Sequence, residues 1–414
     1  MVIEKIFARE ILNSNGRPTI EATVITNKGI EGTSSVPSGT SKGKHEAREI
    51  YDDEARFRGF GVRKAIDNIN QIIAPKLVGK EIIRQSEIDN FLIKLDGTED
   101  KSKLGSNGML AVSLAVSKAA ASSLGIPLYK YLGGIIANRL PIPIATVLAG
   151  GKYSPSRLDF EDYMLIMSGF NKFSEALEAL AETHYCLGNI LKEKYEVIQD
   201  VGGAYAPPIN NNIEAFEVML NAIDQAGYSG KIFLGLDIAG NELYNKEGDY
   251  YKISGENIST DKLIHYYKEI VRQYPVVLIE DPFHDDDFES FSILTSELNE
   301  TQIVGDDLFA TNLSRIRQGI EKKACNTLLV KVNQIGTLTE ACNAALFAKN
   351  NNYKLAVSMR SNDTNDSFIA DLAVALGAFE IKCGSPVRSE RNAKYNRLLK
   401  IELELGVDAH YFGN

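Results

Sequence analysis

The chain has 414 residues, of which 44% are hydrophobic, and its formal net charge is −10. This length predicts two domains with sizeable cores, and the acidic balance argues against a general affinity for nucleic acid. No apolar stretch reaches the roughly 20 residues that a membrane span requires. The N-terminus has charges where a signal peptide needs an apolar run. These features predict a soluble, cytoplasmic protein that does not bind membranes.

The cysteines are few, widely spaced and without a CxxC pair. They are Cys186, Cys325, Cys342 and Cys383. This spacing predicts reduced structural thiols and argues against both a disulfide framework and a zinc site.

The residue pattern in the first third of the chain predicts strands followed by helices. Apolar and polar residues alternate over 3–9 and 18–26, and the turn residues at 27–29 predict an antiparallel meander. A glycine- and serine-rich loop follows at 34–44. Helical apolar spacing then covers 61–80, 85–95 and 108–124. We therefore predict a small N-terminal α+β capping domain over residues 1–135.

From residue 136 onward, short apolar runs alternate with helical patterns. The predicted strands are 142–148, 162–167, 232–238, 275–280, 302–305, 327–332, 354–359 and 379–382. Predicted helices include 172–193, 212–226, 261–273 and 338–349. Repeated strand-then-helix units predict a parallel sheet, and about eight of them favour a closed TIM-type β/α barrel over 136–414. In such a barrel the active site lies at the carboxyl ends of the strands.

Three of the predicted strands end on a carboxylate, and a fourth ends on a lysine. The acids are Asp237, Glu280 and Asp306, and the lysine is Lys331. Each acid alone is better explained as a solvated loop residue or a helix cap. Three at matching strand ends would repel one another unless a cation lay between them, and hard oxygen ligands without His or Cys suit Mg²⁺. The pattern therefore predicts a magnesium site at the barrel mouth.

Five strings in fixed order resemble enolase, and the resemblance covers nearly the whole chain. They are VPSGTSKG (36–43), GLDIAGNE (235–242), LIEDPF (278–283), VGDDL (304–308) and LLVKVNQIGT (328–337). The tail SERNAKYNRLLKIELELG (389–406) is also similar to enolase. The resemblance implies an enolase-like lyase with two Mg²⁺ ions. Asp237, Glu280 and Asp306 would hold the first, and Ser38 would bind the second, substrate-linked ion. Asp281 and Asp307 would lie behind these ligands.

The same resemblance assigns roles to the basic residues. Lys331 matches the lysine that removes the proton between carboxylate and phosphate, and nearby metal ions would push it towards its neutral form. Lys382, in FEIKCGSP, matches the lysine that contacts the substrate carboxylate. Arg360 and Ser361, in AVSMRSND, match the phosphate-binding pair.

The sequence departs from the enolase pattern at positions around the substrate hydroxyl. Met359 and Tyr153 stand where enolases carry histidine, and Val201 stands where they carry glutamate. Glu161-Asp162 replaces a Gln-Glu pair. Departing hydroxide needs a proton, and a general acid contributes about a hundred- to ten-thousand-fold in rate. Valine and methionine cannot supply that proton.

Two nearby acids are candidates for the missing one. The side chain of Asp162 is one methylene shorter than that of glutamate. Asp200 would supply the proton only if the loop that contains Val201 shifted by one residue. Asp162 is therefore the third predicted catalytic residue, with Lys331 and Lys382.

Three functions remain open at this stage. The leading hypothesis is a magnesium-dependent enzyme that forms an enolate of a phosphorylated or phosphono carboxylate and dehydrates 2-phosphoglycerate poorly. The second is a genuine glycolytic enolase with substituted acids, and the third is a non-catalytic binding protein. Enolases are commonly homodimers, which implies a homodimer or higher homo-oligomer here.

Overall fold

An antiparallel sheet with helices on one side precedes a closed eight-stranded barrel. The structure is a computed structural model that describes residues 1–40, 42–52, 55–152, 154–195 and 202–413. The predicted fold class, a small α+β domain followed by a TIM-type barrel, is confirmed. The position of the domain boundary, between residues 135 and 136, stays a prediction.

The N-terminal elements follow the predicted order of strands and then helices. They are β1 Ile3–Leu12, β2 Pro18–Thr26, β3 Glu31–Ser35, a 3-10 turn Arg56–Gly59, α1 Arg63–Asp67, a π-helical segment Asn68–Ile73, α2 Ala74–Leu77, α3 Gln85–Asp96, α4 Ser106–Leu124, α5 Leu128–Gly133 and a 3-10 turn Gly134–Ile136. The single helix predicted over 61–80 is thus built from three helical segments.

Helix α4 packs closely on the N-terminal sheet. Strand β2 buries the alternate side chains Ile20, Ala22 and Val24, as its apolar-polar alternation predicts. Gly32 on β3 permits close contact, because a Cβ there would lie 2.2 Å from the backbone nitrogen of Ala119. Any larger residue at this position would push the helix away from the sheet.

The barrel part contains every predicted strand within two residues of its predicted bounds. Its elements are β4 Arg139–Leu140, β5 Ile142–Ala149, β6 Asp162–Ile166, α6 Phe173–Lys194, α7 Asn212–Gln225, β7 Phe233–Asp237, α8 Gly240–Leu243, β8 Tyr244–Asn245, β9 Tyr250–Ile253, β10 Glu256–Ile258, α9 Thr260–Gln273, β11 Val276–Glu280, α10 Phe288–Glu297, β12 Gln302–Gly305, α11 Leu313–Lys322, β13 Thr327–Val330, α12 Val332–Ile335, α13 Leu338–Asn350, β14 Lys354–Ser358, α14 Phe368–Leu376, β15 Glu380–Lys382, α15 Ser389–Leu405, a 3-10 turn Gly406–Asp408 and β16 His410–Tyr411. The strands close in the order β11-β12-β13-β14-β15-β5-β6-β7.

One barrel strand is antiparallel to its neighbours, so the prediction of a fully parallel sheet is wrong at this strand. Strand β6 is antiparallel to both β5 and β7. The described residues of the β5–β6 connection contain no crossover helix, and a parallel connection needs one, so the strand returns in the opposite direction. As a result β6 begins at the barrel mouth, and Asp162 pairs in register with Asp237.

Five predicted site residues lie at the mouth because of where their strands end. Strands β7, β11 and β15 end on Asp237, Glu280 and Lys382. Strands β12 and β13 end one residue before Asp306 and Lys331.

Within the described residues, no single helix is long and apolar enough to cross a membrane. Taken together, Ser106–Leu124 and Leu128–Ile136 meet that test by length and composition, with a bend of 97° between them.

Candidate active site

A cavity of about 250 Å³ opens at the carboxyl ends of the barrel strands. Most of the predicted site residues line it: Asp162, Asp237, Asp306, Lys331, Arg360, Ser361 and Lys382. Glu280 lies beneath its wall and is 1% exposed. Ser38 precedes the lining residue Gly39, and its backbone exchanges hydrogen bonds of 3.0 and 3.1 Å with Asn362. The structure therefore gathers all nine predicted site residues at or beside one cavity.

Lys382 joins three carboxylates at the base of the cavity. Its Nζ lies 2.8 Å from Asp237 Oδ2, 2.8 Å from Glu280 Oε2 and 3.1 Å from Asp162 Oδ2. Burial alone would lower the pKa of Lys382, but Asp237 and Glu280 raise it well above its usual value. Burial also raises the pKa of Glu280. Lys382 is thus a fixed cation that holds carboxylates from three strands together.

Lys331 forms a second ion pair, with Asp306. The Lys331 ammonium donates to Asp306 Oδ2, and Gln334 Nε2 donates to Asp306 Oδ1 at 2.7 Å. Burial acts to lower the pKa of Lys331, but Asp306 outweighs it and the pKa is raised to about 12. The charge of Asp306 thus favours the protonated lysine in this arrangement. The predicted shift of Lys331 towards its neutral form depends on nearby metal ions and stays a prediction.

A cluster of three acids lies behind Lys331. Asp281 Oδ1 and Oδ2 accept hydrogen bonds from the backbone nitrogens of Asp306 and Asp307, at 2.9 and 2.7 Å. Oxygens of all three carboxylates lie within 4.8 Å of one another. Burial and the charge of Asp306 raise the pKa of Asp307 to about 7. This much negative charge in a buried place is suited to a cation.

Arg360 is held in a fixed orientation at the cavity wall. Its guanidinium pairs with both carboxylate oxygens of Glu46, at 3.0 and 3.1 Å, and donates to Asn333 Oδ1 at 3.1 Å. The neighbouring Ser361 Oγ accepts from the Thr40 backbone nitrogen at 2.8 Å. Sequence reasoning missed Glu46, since no local pattern links it to an arginine 314 residues away.

Met359 borders the same cavity and contacts a buried arginine. Arg391 Nη1 lies 2.8 Å from the Met359 sulfur and 2.7 Å from the Arg360 carbonyl oxygen. The thioether has no proton to give. Tyr153, Asp200 and Val201, the other positions on which the predicted chemistry depends, lie outside the described residues.

Two family models cover almost the whole chain. The C-terminal TIM barrel domain of enolase matches residues 137–414, and the N-terminal domain of enolase matches residues 3–132. The chain belongs to the enolase family. Its relatives include proteins named enolase from Methanopyrus kandleri, Methanothrix thermoacetophila and Pyrococcus furiosus, which are 51%, 50% and 49% identical to it. Each of these alignments covers 99% of this chain, and they cover 97%, 98% and 96% of the relatives.

Family membership confirms the predicted enzyme class, an enolase-like lyase with a TIM barrel. It also bears on the choice among the three hypotheses. Relatives at about half identity that are named enolase favour the second hypothesis, a genuine enolase, over the divergent enzyme that the altered positions suggested.

The acids of this enolase-family site fit a hard divalent cation. Glu280 Oε1 is buried and has no hydrogen-bond partner among the described residues. Asp237 and Asp306 line the cavity next to it and supply further carboxylate oxygens. A buried carboxylate oxygen without a partner lies beside other carboxylates, and no His or Cys is among the described residues that line the cavity. This is the donor set that Mg²⁺ prefers.

The cavity also contains an acid that sequence reasoning did not single out as a proton donor. Glu161 directly precedes β6 and lines the cavity beside Asp162. The available signal was the Glu161-Asp162 pair itself, of which the sequence analysis assigned a role only to Asp162.

Proposed function

We propose that this chain catalyses the enolase reaction, the reversible dehydration of 2-phosphoglycerate to phosphoenolpyruvate. The observation that carries the proposal is the joint retention, in one cavity, of two lysines, the acids around them and Arg360. The relatives named enolase support this substrate.

In this proposal each basic residue has a separate task. Lys331 accepts the proton from the carbon between carboxylate and phosphate, which requires that it first be neutral. Its partner Asp306 must therefore be engaged by another cation. Lys382 contacts the substrate carboxylate, and Arg360 with Ser361 binds the phosphate, because a guanidinium fork matches phosphate oxygens.

Two Mg²⁺ ions complete the proposed site. Asp237, Glu280 and Asp306 would hold one, and Ser38 would contribute to the second, substrate-linked ion. When bound, the metal supplies the positive charge that stabilises a developing enolate. Binding there has to compete with Lys331 and Lys382, which now occupy the same carboxylates.

A second candidate function is favoured by the Met359 side of the cavity. A thioether that packs on Arg391 offers no proton to a departing hydroxide. The same lysines and acids would then form an enolate of a phosphorylated or phosphono carboxylate, in chemistry that needs no loss of hydroxide. Epimerisation or transfer onto the enol are examples.

The deciding experiment is an assay of phosphoenolpyruvate absorbance with 2-phosphoglycerate at saturating Mg²⁺. A turnover in the ordinary enzyme range, about 1–1,000 per second, is expected. Absence of dehydration, together with exchange of the substrate's α-proton in heavy water, would favour the second candidate. Absence of both dehydration and proton exchange would favour the third hypothesis, a non-catalytic binding protein. The cytoplasmic location and the homodimer stay predictions.

A further inference from the structure

Glu161 lines the cavity but takes no part in its ion pairs. Within the described residues, no hydrogen bond or ion pair involves its carboxylate. Its backbone carbonyl accepts from the Gly150 nitrogen at 3.0 Å, which fixes the segment where the β5 and β6 ends meet. The side chain therefore reaches the cavity from a fixed backbone and with a free carboxyl group.

Every other acid that lines the cavity has a hydrogen-bond or ion-pair partner among the described residues. Asp162, Asp237 and the buried Glu280 lie within 3.1 Å of Lys382, and Asp306 pairs with Lys331. Asp281 accepts from two backbone nitrogens, and Asp307 accepts from Asn241 Nδ2 at 3.1 Å. The ammonium group of Lys382 opposes protonation of the carboxylates that it contacts. Asp162, which the sequence suggested as the replacement acid, is one of them, and its carboxylate is held by Lys382, although burial outweighs this charge and raises the pKa of Asp162.

The surroundings of Glu161 favour its protonated form. Burial, with the charges of Asp237 and Asp162, raises the pKa of Glu161 to about 8, against the opposing effect of Lys382 and Lys331. A general acid has to carry its proton at the working pH and has to face the reacting group. The surroundings of Glu161 meet the first condition, and its side chain lines the same cavity as Met359, which can donate nothing.

We propose that Glu161 is a catalytic residue that donates the proton to the leaving hydroxide. The inference rests on the proposed dehydration. It identifies a proton donor in a site where Met359 and Val201 cannot supply the proton. Lys331 takes the α-proton, the C–H electron pair becomes the new C=C bond, and the C–O bond breaks. The leaving oxygen keeps that bond's electron pair and takes the Glu161 proton, so the products are phosphoenolpyruvate and water. In the reverse direction the Glu161 carboxylate removes a proton from water.

The test separates proton removal from loss of hydroxide. The substitution E161Q keeps the size of the side chain and installs the residue of the enolase string. Phosphoenolpyruvate formation should fall about a hundred- to ten-thousand-fold, the range of a general acid. Exchange of the substrate's α-proton in heavy water, followed by NMR, should persist. The matched control is E242Q, which removes a carboxylate that pairs with Lys152 at 2.7 Å and does not line the cavity.

A second substrate tests directly whether Glu161 acts as a proton donor to the leaving group. In an analogue with chloride in place of the β-hydroxyl, the leaving group needs no proton. E161Q should eliminate chloride at nearly the parent rate while it fails with the hydroxyl substrate. Equal losses on both substrates, or loss of α-proton exchange, would overturn the assignment, because Glu161 would then act on the fold or on enolate formation.

The failure of this inference can be told from failure of the proposed function. If the parent chain dehydrates 2-phosphoglycerate and E161Q does so equally well, only the assignment of Glu161 is wrong. If the parent chain forms no phosphoenolpyruvate, the proposed function fails and the assignment falls with it.

Discussion

Lys331 and Lys382 neutralise carboxylates that would otherwise destabilise the barrel mouth. Lys382 alone contacts three acids from different strands. Buried like charges at this distance would raise one another's pKa values or push the strands apart. The site is therefore compatible with folding before any cation binds, and a bound metal has to compete with two ammonium groups.

The acids in contact with Lys382 should control Mg²⁺ binding. We expect D237N and E280Q each to weaken Mg²⁺ affinity by at least about tenfold, since even partners of metal ligands contribute 10- to 100-fold. Titration calorimetry with and without a phosphorylated carboxylate measures this effect. E242Q removes the same charge outside the cavity and should bind as the parent does. An affinity unchanged in both cavity variants would contradict the assigned ligands.

At the scale of elements, the barrel strands were predictable because strands covered on both faces are nearly continuous apolar runs. Strand β5, for example, buries all eight of its residues. The direction of β6 was not predictable from its own run, because direction depends on whether a helix crosses over before it. The small sheet of β8, β9 and β10 was also missed, since strands of two to four residues are too short to show alternation.

Position along the sequence was sufficient only where a residue ends or follows such a run, as Asp237, Glu280, Asp306 and Lys331 do. Other site residues were assigned through the resemblance to enolase: Ser38, Arg360, Ser361 and Lys382. Contacts across the chain could not be read in this way. The pairing of Glu46 with Arg360 depends on the approach of an N-terminal loop to the barrel, and no periodicity encodes that approach.

The barrel floor carries a buried acid whose ionisation should oppose stability. Glu380, the first residue of β15, accepts from Gln302 Nε2 at 2.7 Å, but its Oε2 has no partner among the described residues. Burial raises the pKa of Glu380 from 4.5 to about 7. The folded state therefore holds this proton more tightly than the unfolded state, and stability falls as the pH rises from 4.5 through 7.

E380Q should remove this pH dependence. At pH values near 8 we expect the variant to be more stable than the parent by up to about 3 kcal/mol, because the amide has no charge to bury. Below the unfolded-state pKa of 4.5 the difference should vanish. Urea unfolding across this pH range measures it, with the exposed E256Q as control. Parallel pH profiles for parent and variant would show that Glu380 does not titrate as described.

For the whole molecule, the proposed reaction needs the N-terminal part and the barrel to keep fixed positions relative to each other. The loop with Ser38 and Glu46 comes from the first part, whereas Arg360 and the lysines come from the barrel. Asp366 anchors this contact: its carboxylate accepts from Lys118 Nζ at 2.7 Å, from Ser34 Oγ at 2.6 Å and from the Ser35 nitrogen at 2.9 Å. The residues on the N-terminal sheet and on α4 are thereby tied to one acid of the barrel.

The substitution D366N should loosen this connection. We expect a loss of about 1–3 kcal/mol in the free energy of unfolding, since Lys118 and the serine donors lose a charged acceptor in a buried place. Burial opposes ionisation of Asp366, but Lys118 outweighs it and holds the pKa below 3.8. The stabilisation that the ionised Asp366 provides is therefore complete above pH 3.8 and is lost as the pH falls through the folded-state pKa. The difference in the free energy of unfolding between D366N and the parent should therefore become smaller at acidic pH.

Urea unfolding at pH 7 and in acid measures both expectations, and D408N, at an exposed aspartate, is the matched control. A double variant, K118Q with D366N, should lose less than the sum of the single changes because the unpaired ammonium is gone. Strict additivity would mean that the two residues are not coupled.

If D366N also raises the KM for a phosphorylated substrate while the Mg²⁺ affinity of the apo chain is unchanged, the defect lies in how the N-terminal loop meets the barrel, since the metal acids all belong to the barrel.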